Sequence, residues 1–187
     1  MISILNPYQT IWLNPRRTFA DYVVNSESQS LFALPIIIIG LSLGLNMTTE
    51  INAILDDEFV WWSLLIAIPM GIVTAFLILG FIMPGLIKLV GRIWNGESTM
   101  RQMVNVYSIS SIPYGLILIY QIALFAIGED PLIDRVNAGF SYMQWLWSFT
   151  LLIIGISQIQ RFSYGMALLN ILIRYLPILM IGILRAT

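Results

Sequence analysis

Five apolar runs, Leu31–Met47, Trp61–Met83, Ile109–Ile127, Tyr142–Ile159 and Tyr164–Leu184, occupy most of this chain of 187 residues. Each is close to the ~20 residues that a helix needs to cross a hydrocarbon core of ~30 Å. Inside a bilayer every backbone N–H and C=O must be bonded within the protein, so runs of this length are expected to be helices. With 58% hydrophobic and 10% charged residues, the chain has too little polar surface to cover a soluble globule. The expected fold is therefore all-α. It is a polytopic bundle of five transmembrane helices over residues 31–187, preceded by a cytoplasmic or interfacial segment over residues 1–30.

Charge sets the expected orientation. Arg16, Arg17, Lys88, Arg92, Arg101 and Arg161 fall on one side of the runs, and Glu50, Asp56, Asp57, Glu58, Glu129, Asp130 and Asp134 on the other. Short loops rich in Lys and Arg stay inside, which predicts a cytoplasmic N-terminus and an external C-terminus. Trp61, Trp62, Trp145 and Trp147 sit at the opposite run ends from Trp12 and Trp94, as expected for indoles at the headgroup level. The N-terminus lacks a basic start, an apolar core and a small-residue cleavage site, so no cleaved signal peptide is expected.

Local patterns refine this picture. Asn6-Pro7 and Asn14-Pro15 each place a capping residue before a proline, and the apolar spacing after them predicts two short interfacial helices rather than a loose tail. Gly40 and Gly44 form a GxxxG in the first run, which suits close helix packing within the chain ahead of dimerisation. Beyond Pro84, Leu86, Leu89, Val90 and Ile93 share a helical face opposite Lys88 and Arg92, predicting an amphipathic helix at the membrane surface. Asn95-Gly96 reads as a turn, Thr99 with Gln102 as a capping box, and Tyr107 to Pro113 as a polar, breakable entrance to the third span. Residues 158–163 are the polar turn of a tight hairpin between the last two runs.

The chemistry available is narrow. No cysteine or histidine is present, which removes disulfides, thiolate chemistry and the commonest metal ligand and base. None of the runs contains Asp or Glu, so no catalytic, metal or cofactor site is expected, and a Ser-Lys pair through Lys88 gives way to snorkelling. A net charge of −1 without a basic block gives no footprint for nucleic acid. Arg174 is the one charge near the middle of a run, costing roughly 2.5–3.5 kcal/mol there unless partnered. Asn170, one turn earlier, with Gln121 and Gln158, supplies the expected intramembrane polar partners. The bland reading, an arginine satisfied by carbonyls and amides inside the bundle, stands beside an anionic-lipid or anionic-solute site.

Leu89–Gly115 resembles the most recognisable stretch of the Yip (Ypt-interacting protein) domain family, through Gly91, Gly96, Tyr107, Ser108 and Pro113. The segment Asn14–Phe19 and the Trp145–Leu172 hairpin, with Gly155, Tyr164 and Ala167, are similar as well. The resemblance implies a non-enzymatic integral membrane protein with five spans. Eukaryotic members act in vesicle traffic through small GTPases. Here the Asp-Leu-Tyr-Gly-Pro element is absent, Val106 replaces a frequent glycine and no long cytosolic N-terminal region is present. Those departures count against small-GTPase binding and favour a compact bacterial type in the cytoplasmic membrane. The expected role is a scaffold or membrane organiser, in contact with the lipid bilayer, anionic lipids included, and with other membrane proteins or a second copy. The alternative is a small carrier or channel component for an anionic solute or lipid, although no internal repeat relates two halves of the chain.

Overall fold

The computed structural model describes residues 7–24, 33–54, 61–127 and 131–173. The described residues are helical and contain no strand. In chain order the helices are α1 (Pro7–Thr10), α2 (Pro15–Phe19), α3 (Leu34–Ile54), α4 (Trp61–Ala75), α5 (Met83–Ile93), α6 (Met100–Ser110), α7 (Gly115–Ile127), α8 (Pro131–Gln160) and α9 (Tyr164–Ile173). A wide π-helical stretch, Phe76–Ile82, joins α4 to α5, and a 3-10 turn, Ile112–Tyr114, joins α6 to α7. The second half of the fifth run, Arg174 included, lies outside the described residues, as do Asp56–Glu58 and Glu129–Asp130.

Among the described residues, three helices are long and apolar enough to cross a membrane: Trp61–Ile93, Met100–Ala123 and Ala138–Gln160. The first has 33 residues, about 50 Å of helix, and so overshoots the hydrocarbon core. Its packing is inverted relative to that of a water-soluble helix. Ser63, Ala67, Gly71 and Ala75 are buried at four-residue steps, while Leu65, Met70, Val73, Leu77 and Phe81 are exposed. Small residues face protein and large aliphatic ones face outward, as expected when lipid is the solvent and close backbone approach holds helices together. Pro69 sits on the outward side without ending α4.

Gly40 and Gly44 of α3 meet that small-residue face directly. A methyl on Gly40 would stand 2.5 Å from the Ile72 Cα, and one on Gly44 would stand 2.7 Å from the Ile68 Cα. One on Gly71 would overlap the Gly40 carbonyl and the Gly44 backbone. The GxxxG is thus consumed inside the chain.

The main core gathers at one end of the bundle around α6, whose residues Met103–Ser110 are all buried. Ile87 of α5, Leu151 and Ile156 of α8 and Ile171 of α9 close on Met103, Val106 and Ile109. The N-terminal segment, in which α2 runs on as a π-helical turn over Ala20–Val24, joins the same core through Ile11, Phe19 and Val23, each fully buried. Gly155 makes room for them: a methyl there would lie 2.6 Å from Val106 and 3.0 Å from the Phe19 ring.

At the entrance to the third span the α-helix is interrupted where the sequence reading places a break, by a turn at Ser111 and a 3-10 turn over Ile112–Tyr114. Helix starts already at Met100, under a complete capping box in which the Gln102 N–H donates to the Thr99 hydroxyl (3.2 Å) and the Thr99 N–H to the Gln102 side chain (2.9 Å). The Ser111 hydroxyl donates to the Tyr107 carbonyl one turn back (2.7 Å), so its polarity is absorbed by its own helix instead of opening the chain to water.

Candidate functional site

The densest polar construction among the described residues lies where the α5–α6 loop meets the α8–α9 hairpin. Both connections are made by the same device. Helix α5 ends with Asn95 at φ 60°, and the Gly96 N–H reaches back to the Gly91 carbonyl (2.9 Å) and the Asn95 N–H to that of Arg92 (3.2 Å). Helix α8 ends with Arg161 at φ 57°, and the Phe162 N–H returns to the Ser157 carbonyl (3.0 Å). These are left-handed C-caps that satisfy the last carbonyls of each helix. The Ser157 hydroxyl adds a bond to the Phe162 carbonyl (2.6 Å).

The two caps interlock. Trp94 and Phe162 meet edge to face with centroids 6.4 Å apart, and Arg161 pairs with Glu97 at 3.8 Å on the surface. Beneath them the Gln160 side chain enters the seam. Its carbonyl oxygen accepts from the Asn170 carboxamide (2.8 Å) and its nitrogen points to the Ser98 hydroxyl (3.4 Å). Gly91 is what admits it, since a methyl there would lie 2.7 Å from the Gln160 Cδ and nearer still to its nitrogen. A methyl on Gly96 would stand 3.0 Å from the Gly91 carbonyl and 3.1 Å from the Phe162 ring. Gln160 and Asn170 are buried, and the Asn170 Oδ1 accepts nothing from the described residues. Two glycines, two carboxamides and a hydroxyl thus make a clasp of neutral groups, suited to holding three chain segments together in a medium without water.

The sequence candidates distribute around this clasp. Gly91, Gly96 and Asn170 belong to it; Tyr107, Ser108 and Pro113 are buried nearby on α6 and its 3-10 turn. Gln121 is elsewhere, bridging α7 to α3 by accepting from Ser42 (2.5 Å) and donating to Asn46 (2.9 Å). Gln158 is half-buried on α8, outside the clasp. Arg16 stacks over the Tyr164 ring at 4.9 Å, which ties α2 to the start of α9, and Arg17 pairs with Asp21 at 3.3 Å. Arg92 and Arg101 are exposed and Lys88 is half-buried. Burial raises the Tyr8 phenol above its ordinary range, with Tyr22 adding to the effect, so the folded state loses stability once pH rises past about 10, where an exposed Tyr would ionise.

Gln160, Ser98 and the Trp94–Phe162 pair escaped the sequence reading. The available signal was local: a helix ending Gly91-x-x-x-Asn95-Gly96 needs a left-handed cap, while Gln160 reads as one residue of the polar turn 158–163. Elsewhere, a crevice of about 480 Å³ between the start of α7 and α8 is lined by Tyr114, Ala138, Ser141, Tyr142 and Trp145. It is mostly apolar.

Fold and clasp define a helical bundle of a membrane protein, in which helices long and apolar enough to span a bilayer are joined by buried neutral polar groups. The Yip1 domain matches residues 9–186, nearly the whole chain, and the protein belongs to that family of membrane proteins. No curated protein and no solved structure matches the chain.

Proposed function

We propose that this Yip1-family protein is a non-enzymatic scaffold or organiser of a bacterial cytoplasmic membrane, crossing it five times with its N-terminus inside and its C-terminus outside. The observation that supports this reading is the clasp. Its buried polar groups are the neutral carboxamides of Gln160 and Asn170 and the hydroxyl of Ser98, bonded in a row, an arrangement that fixes shape rather than transferring a proton or a charge. Charge bias of the loops supports the orientation. The partners proposed are other membrane proteins or a second copy, with small-GTPase binding disfavoured by the absence of the Asp-Leu-Tyr-Gly-Pro element from the matched region. The carrier alternative rests on the Arg174 cation.

The test is affinity capture from native membranes with wild-type protein and Arg174→Gln, which keeps a hydrogen-bonding side chain without the charge. The scaffold reading expects the same partners in both. An anionic lipid or solute lost from an intact Arg174→Gln protein would favour the carrier. Reporters fused after Asn95 and Thr187 should report opposite sides, and a cytoplasmic signal from both would refute the five-span topology.

A further inference from the structure

The clasp brings together two surface features that lie about 80 residues apart in the chain. On one side α5 continues the first spanning helix without a break, so the outward apolar stripe that holds Leu77 and Phe81 runs on through Leu89 and Ile93, 65% and 71% exposed. Arg92 is exposed and Lys88 half-buried along the flank of this stripe rather than opposite it, because the structure splits the expected apolar face, burying Val90 and exposing Leu89 and Ile93. On the other side the turn between α1 and α2 presents Leu13, 83% exposed, next to Trp12. Arg16 anchors that turn to Tyr164, two residues beyond the Phe162 that packs on Trp94. Both features therefore flank the single hairpin turn 161–163. Large apolar side chains that the described residues leave uncovered, each beside arginine, suit neither water nor a hydrocarbon core. They suit the layer between them.

We propose that this rim is a two-point grip on the anionic phospholipid leaflet that surrounds it, with Leu13 and Ile93 inserted below the headgroups and Lys88 and Arg92 set against phosphate. The proposal rests on the reading of Trp61–Ile93 as a spanning helix. Two observations choose lipid over a protein occupant: the α5 stripe is continuous with the lipid-facing stripe of α4, and the basic side chains complement phosphate. The α1–α2 turn makes the grip a clamp held from two directions rather than a single surface helix.

The chain has no cysteine, so single nitroxide labels can be placed through Leu13→Cys, Ile93→Cys, Val73→Cys and Glu97→Cys in liposomes of phosphatidylcholine and phosphatidylglycerol. Labels at 13 and 93 are expected to collide with oxygen more than with a water-soluble nickel chelate, as at 73, while 97 shows the reverse. A water-like pattern at 13 and 93 with a lipid-like one at 73 overturns the grip and leaves the span intact. A water-like pattern at 73 instead overturns the spanning reading beneath it. Shielding of 13 and 93 from both reagents overturns lipid as the occupant in favour of protein. Lys88→Gln and Arg92→Gln should each lower the preference for phosphatidylglycerol over phosphatidylcholine about fivefold. An unchanged preference overturns the phosphate contact.

Discussion

At the seam between α3 and α4 the backbones meet through Gly40, Gly44 and Gly71 with almost nothing between them, whereas at the clasp the backbones of Gly91 and Gly96 stand back just far enough to admit one carboxamide. The first seam is held by dispersion over closely opposed main chain, and the second by hydrogen bonds among Ser98, Gln160 and Asn170. Lipid tails cannot match the close packing of two backbones and offer no partner to an amide, so both work in a bilayer, but they fail differently. A glycine seam tolerates no added volume. A carboxamide seam tolerates volume of the right shape and punishes a missing partner.

Substitutions should separate the two modes. Gly71→Leu drives a side chain into the α3 backbone, which cannot rotate away, and its cost is expected at or above the roughly 1–3 kcal/mol of ordinary overpacking. Thermal unfolding in detergent should show the largest loss of any variant here; an unfolding temperature near wild type would mean the seam is looser than its geometry. Gln160→Leu preserves bulk beside Gly91 but strands the Asn170 and Ser98 side chains, for about 1–3 kcal/mol. Pairing it with Asn170→Leu should recover part of that loss, and strict additivity would show that the two carboxamides are not coupled. Arg161 holds a left-handed backbone at a cost glycine escapes, so Arg161→Gly should raise stability by about 0.5 kcal/mol while Arg161→Val lowers it. Equal effects would remove the cap from the account. Glu97→Gln breaks only an exposed pair and should move stability by less than about 0.5 kcal/mol, and a larger drop would make that surface contact part of the clasp.

The glycine seam was legible in sequence because its rule is local: small residues four apart on an apolar helix announce a close neighbour, and the neighbour proved to be α4. The capping box was legible for the same reason, since Thr99 and Gln102 answer only to each other. The clasp was half legible. Asn95-Gly96 announces a turn, yet nothing near it names Gln160, which lies 64 residues on and reads as one more polar residue of a hairpin turn. Long-range partners of amides are set by how helices stack, and a single sequence does not carry that. The polar run from Tyr107 to Ser111 was legible as a break in the helix, but not as a buried one: the Ser111 hydroxyl, bonded to its own helix, looks in sequence like a hydroxyl that needs water.

The wide stretch between Phe76 and Ile82 bears on how this fold can vary. An α-helix closes each bond four residues back, but here the Met83 N–H returns five residues, to the Ile78 carbonyl. Each such turn uses about one residue more to come round, so everything after it is rotated relative to a regular helix. That rotation sets the buried positions of α5, Pro84, Ile87 and Gly91, toward the side on which Ser63, Ala67, Gly71 and Ala75 of α4 are buried. The stretch is therefore a leap day in the helical calendar: one supernumerary residue that keeps the two halves of a long rod in season with each other. A relative shorter by one residue there would run as ordinary helix and keep both faces, whereas one longer or shorter anywhere else along the rod would turn Gly91 away from Gln160.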